Sequence, residues 1–179
     1  MELNTDIKNW PLDLLVDYVL KIYHRTAREL MPEIEGLLDT VAGKHGDAHP
    51  ELFQVRELFN ASVADLDVHF QKEENVLFPF VIDMFNAVTE GFQPEAIHCG
   101  TVSHPITVMM SDHAGETVRY DEMSRLTNGY TAPADADSEY RLLIDRLREF
   151  DKGLHEHIYL ENEIIFPRTI AFESKYINR

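Results

Sequence analysis

Apolar side chains recur at helical spacing in four long stretches of this chain, and breaks rich in Gly, Pro and Asp separate them. The first stretch covers about residues 11–42, with Leu12, Val16, Val19, Tyr23, Leu30, Ile34 and Leu37 as its stripe. Trp10-Pro11 puts a proline at the first helical position, where its missing N–H removes no bond. Pro32 lies inside the stripe and predicts a kink, and Gly43 and Gly46 end it. The second stretch, about 50–88, carries Leu52, Val55, Phe59, Val63, Leu66 and Phe70, with a second kink predicted at Pro79. Residues 89–103 read as a long connection, 104–126 as the third helix and 127–137 as a loop. The fourth helix, about 138–171, turns Leu142, Leu143, Leu147, Phe150, Leu154 and Ile158 inward, and residues 173–179 read as loosely held. No strand-like alternation of useful length occurs. Two short connections and one longer one predict an all-α fold, an antiparallel up-down-up-down four-helix bundle. The 179 residues make one domain with its core at about 11–172.

Two segments repeat at an offset of 88 residues: His69-Phe-Gln-Lys-Glu73-Glu-Asn-Val-Leu-Phe78-Pro79 and His157-Ile-Tyr-Leu-Glu161-Asn-Glu-Ile-Ile-Phe166-Pro167. Both read His-x-x-x-Glu-x-x-aliphatic-aliphatic-Phe-Pro, on the second and fourth helices. Residues four apart share a helix face, so each His/Glu pair can reach one metal or two adjacent ones. At about 100° per residue, Leu58, Val76 and Phe80 project with His69, and Phe150 and Ile164 with His157, which points both pairs into the core. A buried carboxylate is costly unless it is paired or metal-bound, and the sequence supplies few cations to pair with.

The first and third helices each add a core-facing histidine, His24 and His113. The midpoint of His24 and His69 falls near residue 46, inside the first turn, and that of His113 and His157 at residue 135, inside the last loop. Antiparallel hairpins therefore hold all four imidazoles at one level. His45 lies about 30 Å down the first helix from His24; His104 and His155 face elsewhere; His49 and His98 fall in or near breaks; Glu74 is turned one residue step from Glu73. All of these read as surface or loop residues, and Met109 and Met110 as core packing. The alternative reading is a metal-free bundle with a buried polar network, which has to accommodate two core carboxylates and four core imidazoles at one depth.

Mixed imidazole and carboxylate donors suit iron, manganese or zinc. Two carboxylates facing four imidazoles suit a dinuclear centre with each Glu bridging, and this leaves coordination positions open for solvent or a small ligand. The net charge of −16 argues against nucleic acid or an anionic membrane as partner and is compatible with handling cations. The lone Cys99 excludes a cysteine-built zinc or iron–sulfur site and reads as an ordinary loop residue. No apolar run is long enough to span a membrane, and the start, Met1-Glu-Leu-Asn-Thr-Asp, lacks the basic and apolar regions of a signal peptide. The expected location is the cytoplasm.

On these residues the chain resembles the hemerythrin-like domains, and among them the di-iron family that repairs iron–sulfur clusters, the repair-of-iron-centres proteins. The resembling stretches are Ile22-Tyr-His24-Arg, the two repeat segments (the second running on to Arg168), and Pro105-Ile-Thr-Val-Met-Met-Ser-Asp-His113. The resemblance implies an oxo- or hydroxo-bridged centre of two iron ions held by His24, His69, Glu73, His113, His157 and Glu161. It implies a stress-response role in restoring clusters damaged by nitric oxide or oxidants, with iron donation as the expected means and damaged iron–sulfur proteins as partners. Oxygen-carrying hemerythrins usually add a second histidine on the third helix, four residues from the first; here Met109 and Thr117 flank His113 at that spacing, which favours the repair family. Full-length repair proteins often carry a small cysteine-bearing N-terminal domain, whereas this chain starts almost directly at the first helix, which puts in question any activity depending on those cysteines. A carrier or sensor of O2 or NO, and a di-iron nitric oxide reductase, are the alternatives, and the sequence leaves room for a homodimer.

Overall fold

The computed structural model describes residues 7–95, 98 and 100–177. Cys99, the extreme N-terminus and the last two residues lie outside the described residues. After a 3-10 turn at Ile7–Asn9, four antiparallel helical rods follow. The first comprises α1 (Leu12–Tyr18), a π-helical segment (Val19–His24) and α2 (Arg25–His45). The second comprises α3 (Glu51–Lys72), a π segment (Glu73–Leu77) and α4 (Phe78–Thr89). The third is the single helix α5 (Ser103–Leu126). The fourth comprises α6 (Ser138–Leu160), a π segment (Glu161–Ile165) and α7 (Phe166–Tyr176). The rods pack in a ring, α2 on α3 and α6, and α5 on α3 and α6. Among the described residues there is no strand, so the chain is an all-α four-helix bundle.

Local sequence explains most boundaries. Asp137 caps α6, its carboxylate accepting the Tyr140 N–H at 2.9 Å. Gly46 follows α2, its N–H bonded to the Ala42 carbonyl, at a position where a Cβ would run into that carbonyl and the Phe53 ring. The third rod ends in a left-handed turn through Asn128, Gly129 and Tyr130. Pro32 stands within an unbroken α2, rather than dividing it.

Two apolar clusters fill the bundle. One, at the end with the two short connections, is built on Ile34, Leu38, Val55, Phe59, Leu143 and Leu147. The other, near the chain termini, is built on Leu15, Val16, Leu77, Phe78, Ile106, Ile165 and Phe166. On every rod the residues singled out from the sequence lie between the two clusters.

Several sequence expectations fail. Val76 is 54% exposed, because the π segment that begins at Glu73 widens the turn and shifts every later face. After it Glu73, Leu77 and Val81, four apart, are buried, with Phe78 and Met84 beside them. The fourth rod does the same through Glu161, Ile165, Thr169 and Glu173. Residue 173 is therefore not loosely held: its buried carboxylate accepts the Val102 N–H at 2.8 Å and the Thr101 hydroxyl at 2.7 Å. Leu142 and Met110 are exposed, since Leu143 and Met109, one residue step away, take the core positions.

Candidate metal centre

Three of the four rods change to π geometry at the level of the conserved-spacing repeat and of His24. Pro79 and Pro167 lack the N–H that a regular helix would donate four residues back, and each lies just after a π segment. The widened turns begin at Glu73 and Glu161 and end at His24, so the extra residue lies where these side chains turn inward.

His24, His69, Glu73, His113, His157 and Glu161 meet in the middle of the bundle, each at most 2% exposed. They form two overlapping groups: His24, Glu73, His157 and Glu161, and His69, Glu73, His113 and Glu161. Within each group the donor atoms all lie within 4.8 Å of one another, and both carboxylates belong to both groups. His113 Nε2 is 3.1 Å from His69 Nε2 and 3.1 Å from Glu161 Oε2; His157 Nε2 is 2.7 Å from Glu161 Oε1. Glu73 Oε2 is 3.3 Å from His24 Nε2 and 3.4 Å from His69 Nε2.

The outward nitrogens fix the rings. His24 Nδ1 lies 2.8 Å from Glu74 Oε1, and Arg28 holds Glu74 through two bonds of 2.6 and 3.1 Å. His113 Nδ1 lies 2.9 Å from the Asn162 amide oxygen. His69 Nδ1 lies 3.4 Å from Asp112, which also takes a bond from Lys72 at 3.0 Å. With acceptors outside, the tautomer these bonds select places the proton on Nδ1 and the Nε2 lone pair inward. Lone pairs then face carboxylate oxygens and each other at about 3 Å, an arrangement that repels unless a cation sits among them. Consistently, His24 Nε2, both Glu73 oxygens and Glu161 Oε2 are buried without a hydrogen-bond partner. The donor set thus fits metal ions on its own geometry.

Electrostatics tell the same story. Burial works against a charged His69 ring, but the hydrogen bond and negative charge of Glu73, with Glu161 and Asp112, raise it to about 9. Burial favours the neutral form of Glu161, yet the imidazoles of His157 and His113 hold it well below the usual carboxylate range. Burial pushes His157 down. The cluster demands positive charge, which protons or metal can supply.

The histidines set aside earlier are elsewhere. His104 and His155 are exposed, His98 lies in the long connection, and His45 and His49 sit half-buried at the far tip of the bundle. Glu74 is no member of either group, but it is more than a surface residue, since it orients His24. Asp112, Asn162, Arg28 and Lys72 were likewise missed. The repeat carried a usable signal: Glu74 and Asn162 each follow the shared glutamate, and each holds the histidine of the preceding rod.

The chain matches the hemerythrin HHE cation binding domain over residues 15–169, a span that includes all six residues of the cluster. This chain belongs to the hemerythrin HHE family. Within that family it is similar to the iron–sulfur cluster repair protein YtfE of Yersinia pseudotuberculosis serotype O:1b, at 31% identity over 168 residues, 94% of this chain and 70% of the relative. It is also similar to YtfE of Musicola paradisiaca, at 30% identity over 170 residues, 93% of this chain and 71% of the relative. The hemerythrin bundle explains the four-rod architecture around a cation site, and no helix among the described residues is long and apolar enough to cross a membrane.

Proposed function

We propose that this hemerythrin-family chain binds two iron ions and acts in the repair of iron–sulfur clusters damaged by nitric oxide or oxidants. The observation that carries the reading is the pair of overlapping donor groups sharing Glu73 and Glu161, with inward atoms that have no protein hydrogen-bond partner. His24 and His157 would hold one ion and His69 and His113 the other, with the two glutamates common to both. Bound iron would supply one-electron redox chemistry and a binding position for a small ligand. The protein's part is to orient the imidazoles through Glu74, Asp112 and Asn162, to keep Glu161 ionised beside His157 and His113, and to enclose the site between two apolar clusters. Similarity to proteins named for cluster repair supports the role, with iron donation to damaged iron–sulfur proteins in the cytoplasm as its form. The test pairs metal analysis with repair. Two irons per chain and restored activity of a nitric-oxide-damaged cluster enzyme support it. Less than one metal per chain after iron-replete growth, unchanged in the Glu73→Ala/Glu161→Ala variant, overturns it.

A carrier or sensor of O2 or NO is the second reading. A largely apolar cavity of about 270 Å³, lined by Ala27, Leu30, Phe70, Phe150 and Leu154 among others, reaches His157 and suits an uncharged diatomic. Reversible oxygen binding to the reduced protein, with a stable oxygenated spectrum, would favour it. Multiple-turnover consumption of nitric oxide would point instead to a reductase.

A further inference from the structure

The four central histidines differ in what their rings touch. Among the described residues, His24 contacts Phe70, Phe78 and His157; His69 contacts Phe70 and His113; and His113 contacts His69, His157 and Phe166. Phenylalanine is not oxidised at biological potentials. His157 alone stacks on an oxidisable ring, that of Tyr23, at 5.7 Å between centroids. Tyr23 in turn meets Tyr18 edge-on at 5.6 Å, and Tyr18 meets Trp10 edge-on at 5.6 Å. All three spacings are contact distances for aromatic pairs.

We propose that Trp10, Tyr18 and Tyr23 form an electron-transfer path between the protein surface and the metal centre, entering it through His157. The proposal rests on the di-iron reading for its inner end. Trp10 and Tyr18 are half-buried, and Tyr23 and His157 are buried, so the path runs from solvent inward without a gap. Its outer end is fixed: Arg168 donates to the backbone carbonyls of Trp10 at 2.7 Å and Lys8 at 3.2 Å. The two halves of the bundle support the assignment by their difference. The residue before His113 is Asp112, which faces His69 with a carboxylate; the corresponding residue before His24 is Tyr23, which faces His157 with a phenol. One quasi-equivalent position has been given charge and the other an oxidisable ring.

Tyr23 would supply one electron to a centre oxidised by a one-electron acceptor such as dioxygen, which leaves as superoxide, and would lose its phenol proton to the water-accessible cavity that Glu156 and Lys152 also line. Tyr18 then reduces Tyr23, which regains a proton, and Trp10 reduces Tyr18 in the same way. A one-electron reductant in solution, such as ascorbate or a thiol, finally restores Trp10 with uptake of one proton. Run in reverse, the path carries an electron from the reduced centre out to an oxidised Trp10.

Trp10 is the sole tryptophan of the chain, which makes the path readable by transient absorption. In metal-free protein, a ruthenium polypyridyl photo-oxidant with an electron acceptor takes one electron from Trp10, whose N–H proton goes to water. The expected result is decay of the indolyl radical signal as a phenoxyl signal grows, with that transfer lost in Tyr18→Phe. In metal-loaded, reduced protein the phenoxyl signal disappears as the centre is oxidised; in Tyr23→Phe it persists. Equal indolyl decay in Tyr18→Phe, or equal phenoxyl decay in Tyr23→Phe, overturns the path. Metal content and helical circular dichroism are measured on each sample. A wild-type sample without metal overturns the di-iron reading, and the inner end of the path with it, while the metal-free arm still decides the Trp10–Tyr18 step.

Discussion

The two ends of this bundle are built on different rules. At the end with the short connections, regular α2, α3, α5 and α6 bury side chains at three- and four-residue steps, and fully buried residues such as Ile34, Phe59, Leu143 and Leu147 make the core. At the end with the chain termini, three rods pass through π segments, and beyond Glu73 and Glu161 adjacent residues such as Leu77 with Phe78 and Ile165 with Phe166 are buried together. The His/Glu layer marks the border. Hydrophobic burial holds the first end together whatever the cation content. The layer itself concentrates carboxylates and lone pairs, which become favourable only with positive charge among them. This layering predicts that packing at the short-connection end and metal binding in the His/Glu layer can each be broken without the other.

The largest expected effect is on metal. Glu73→Ala with Glu161→Ala removes both shared carboxylates, and bound metal should fall from two per chain to near none in elemental analysis. The far-UV circular dichroism should stay helical, because both apolar clusters are untouched. Metal should raise the Tm of wild type and leave that of the double variant unchanged. A variant that unfolds outright would show that the two ends are not separable. The reverse experiment is Leu147→Ala, at a position with no exposed surface, expected to cost about 2–5 kcal/mol in urea unfolding. Its metal content should stay at the wild-type value.

That division also decided what could be read in the sequence. The regular end was legible because an ideal helix keeps its phase: Leu52, Val55, Phe59 and Leu66 fall on one buried face, as their spacing required. The six central residues were legible for a different reason, since the repeat and the hairpin midpoints need only one matching level. The phase beyond Glu73 and Glu161 was not. A π segment inserts extra rotation that no apolar periodicity announces, so Val76 was placed inside and residue 173 outside, and both were the reverse. The prolines 79 and 167 were visible, but a proline signals a disrupted hydrogen bond without saying whether the chain kinks or widens. The residues that orient the histidines are not legible in the sequence, because a one-residue step turns a helical side chain by about 100° from the core face. Glu74 and Asn162 instead reach sideways to a neighbouring rod.

Those orienting residues sharpen the comparison at a smaller scale. Glu74→Ala frees His24 Nδ1, and Asn162→Ala frees His113 Nδ1. Each should weaken metal binding about 10–100-fold in competition with a chelator, without abolishing it. Glu74 is an ionised acceptor, its carboxyl lowered by Arg28 and His24 against the effect of burial, whereas Asn162 is neutral. The charged bond is the stronger of the two, so Glu74→Ala should lose more than Asn162→Ala. Equal affinities in both variants and wild type would mean that packing alone orients the rings.

The smallest effect belongs to the far tip, where His49 crosses from the first turn to Asp135 in the last loop at 3.1 Å and His45 reaches Asp137 at 3.2 Å. Glu51, at 3.3 Å from His49, and Tyr140, against both rings, complete the surroundings. The hydrogen bond to Asp135 leads the causes that raise His49 above its ordinary value, and burial opposes it only in part. A histidine with a raised folded-state pKa contributes its stability in full below the unfolded value, and loses it as pH rises through the folded one. His49→Ala should therefore lower Tm slightly at about pH 5.5 and less at about pH 8.5. The pair is solvent-screened, so the difference should shrink in high salt. Because the tip lies a full apolar cluster away from the His/Glu layer, metal content should not change in this variant. A change in bound metal here, with the helical signal intact, would mean that the apolar end transmits strain to the centre and that the two ends of the bundle act as one.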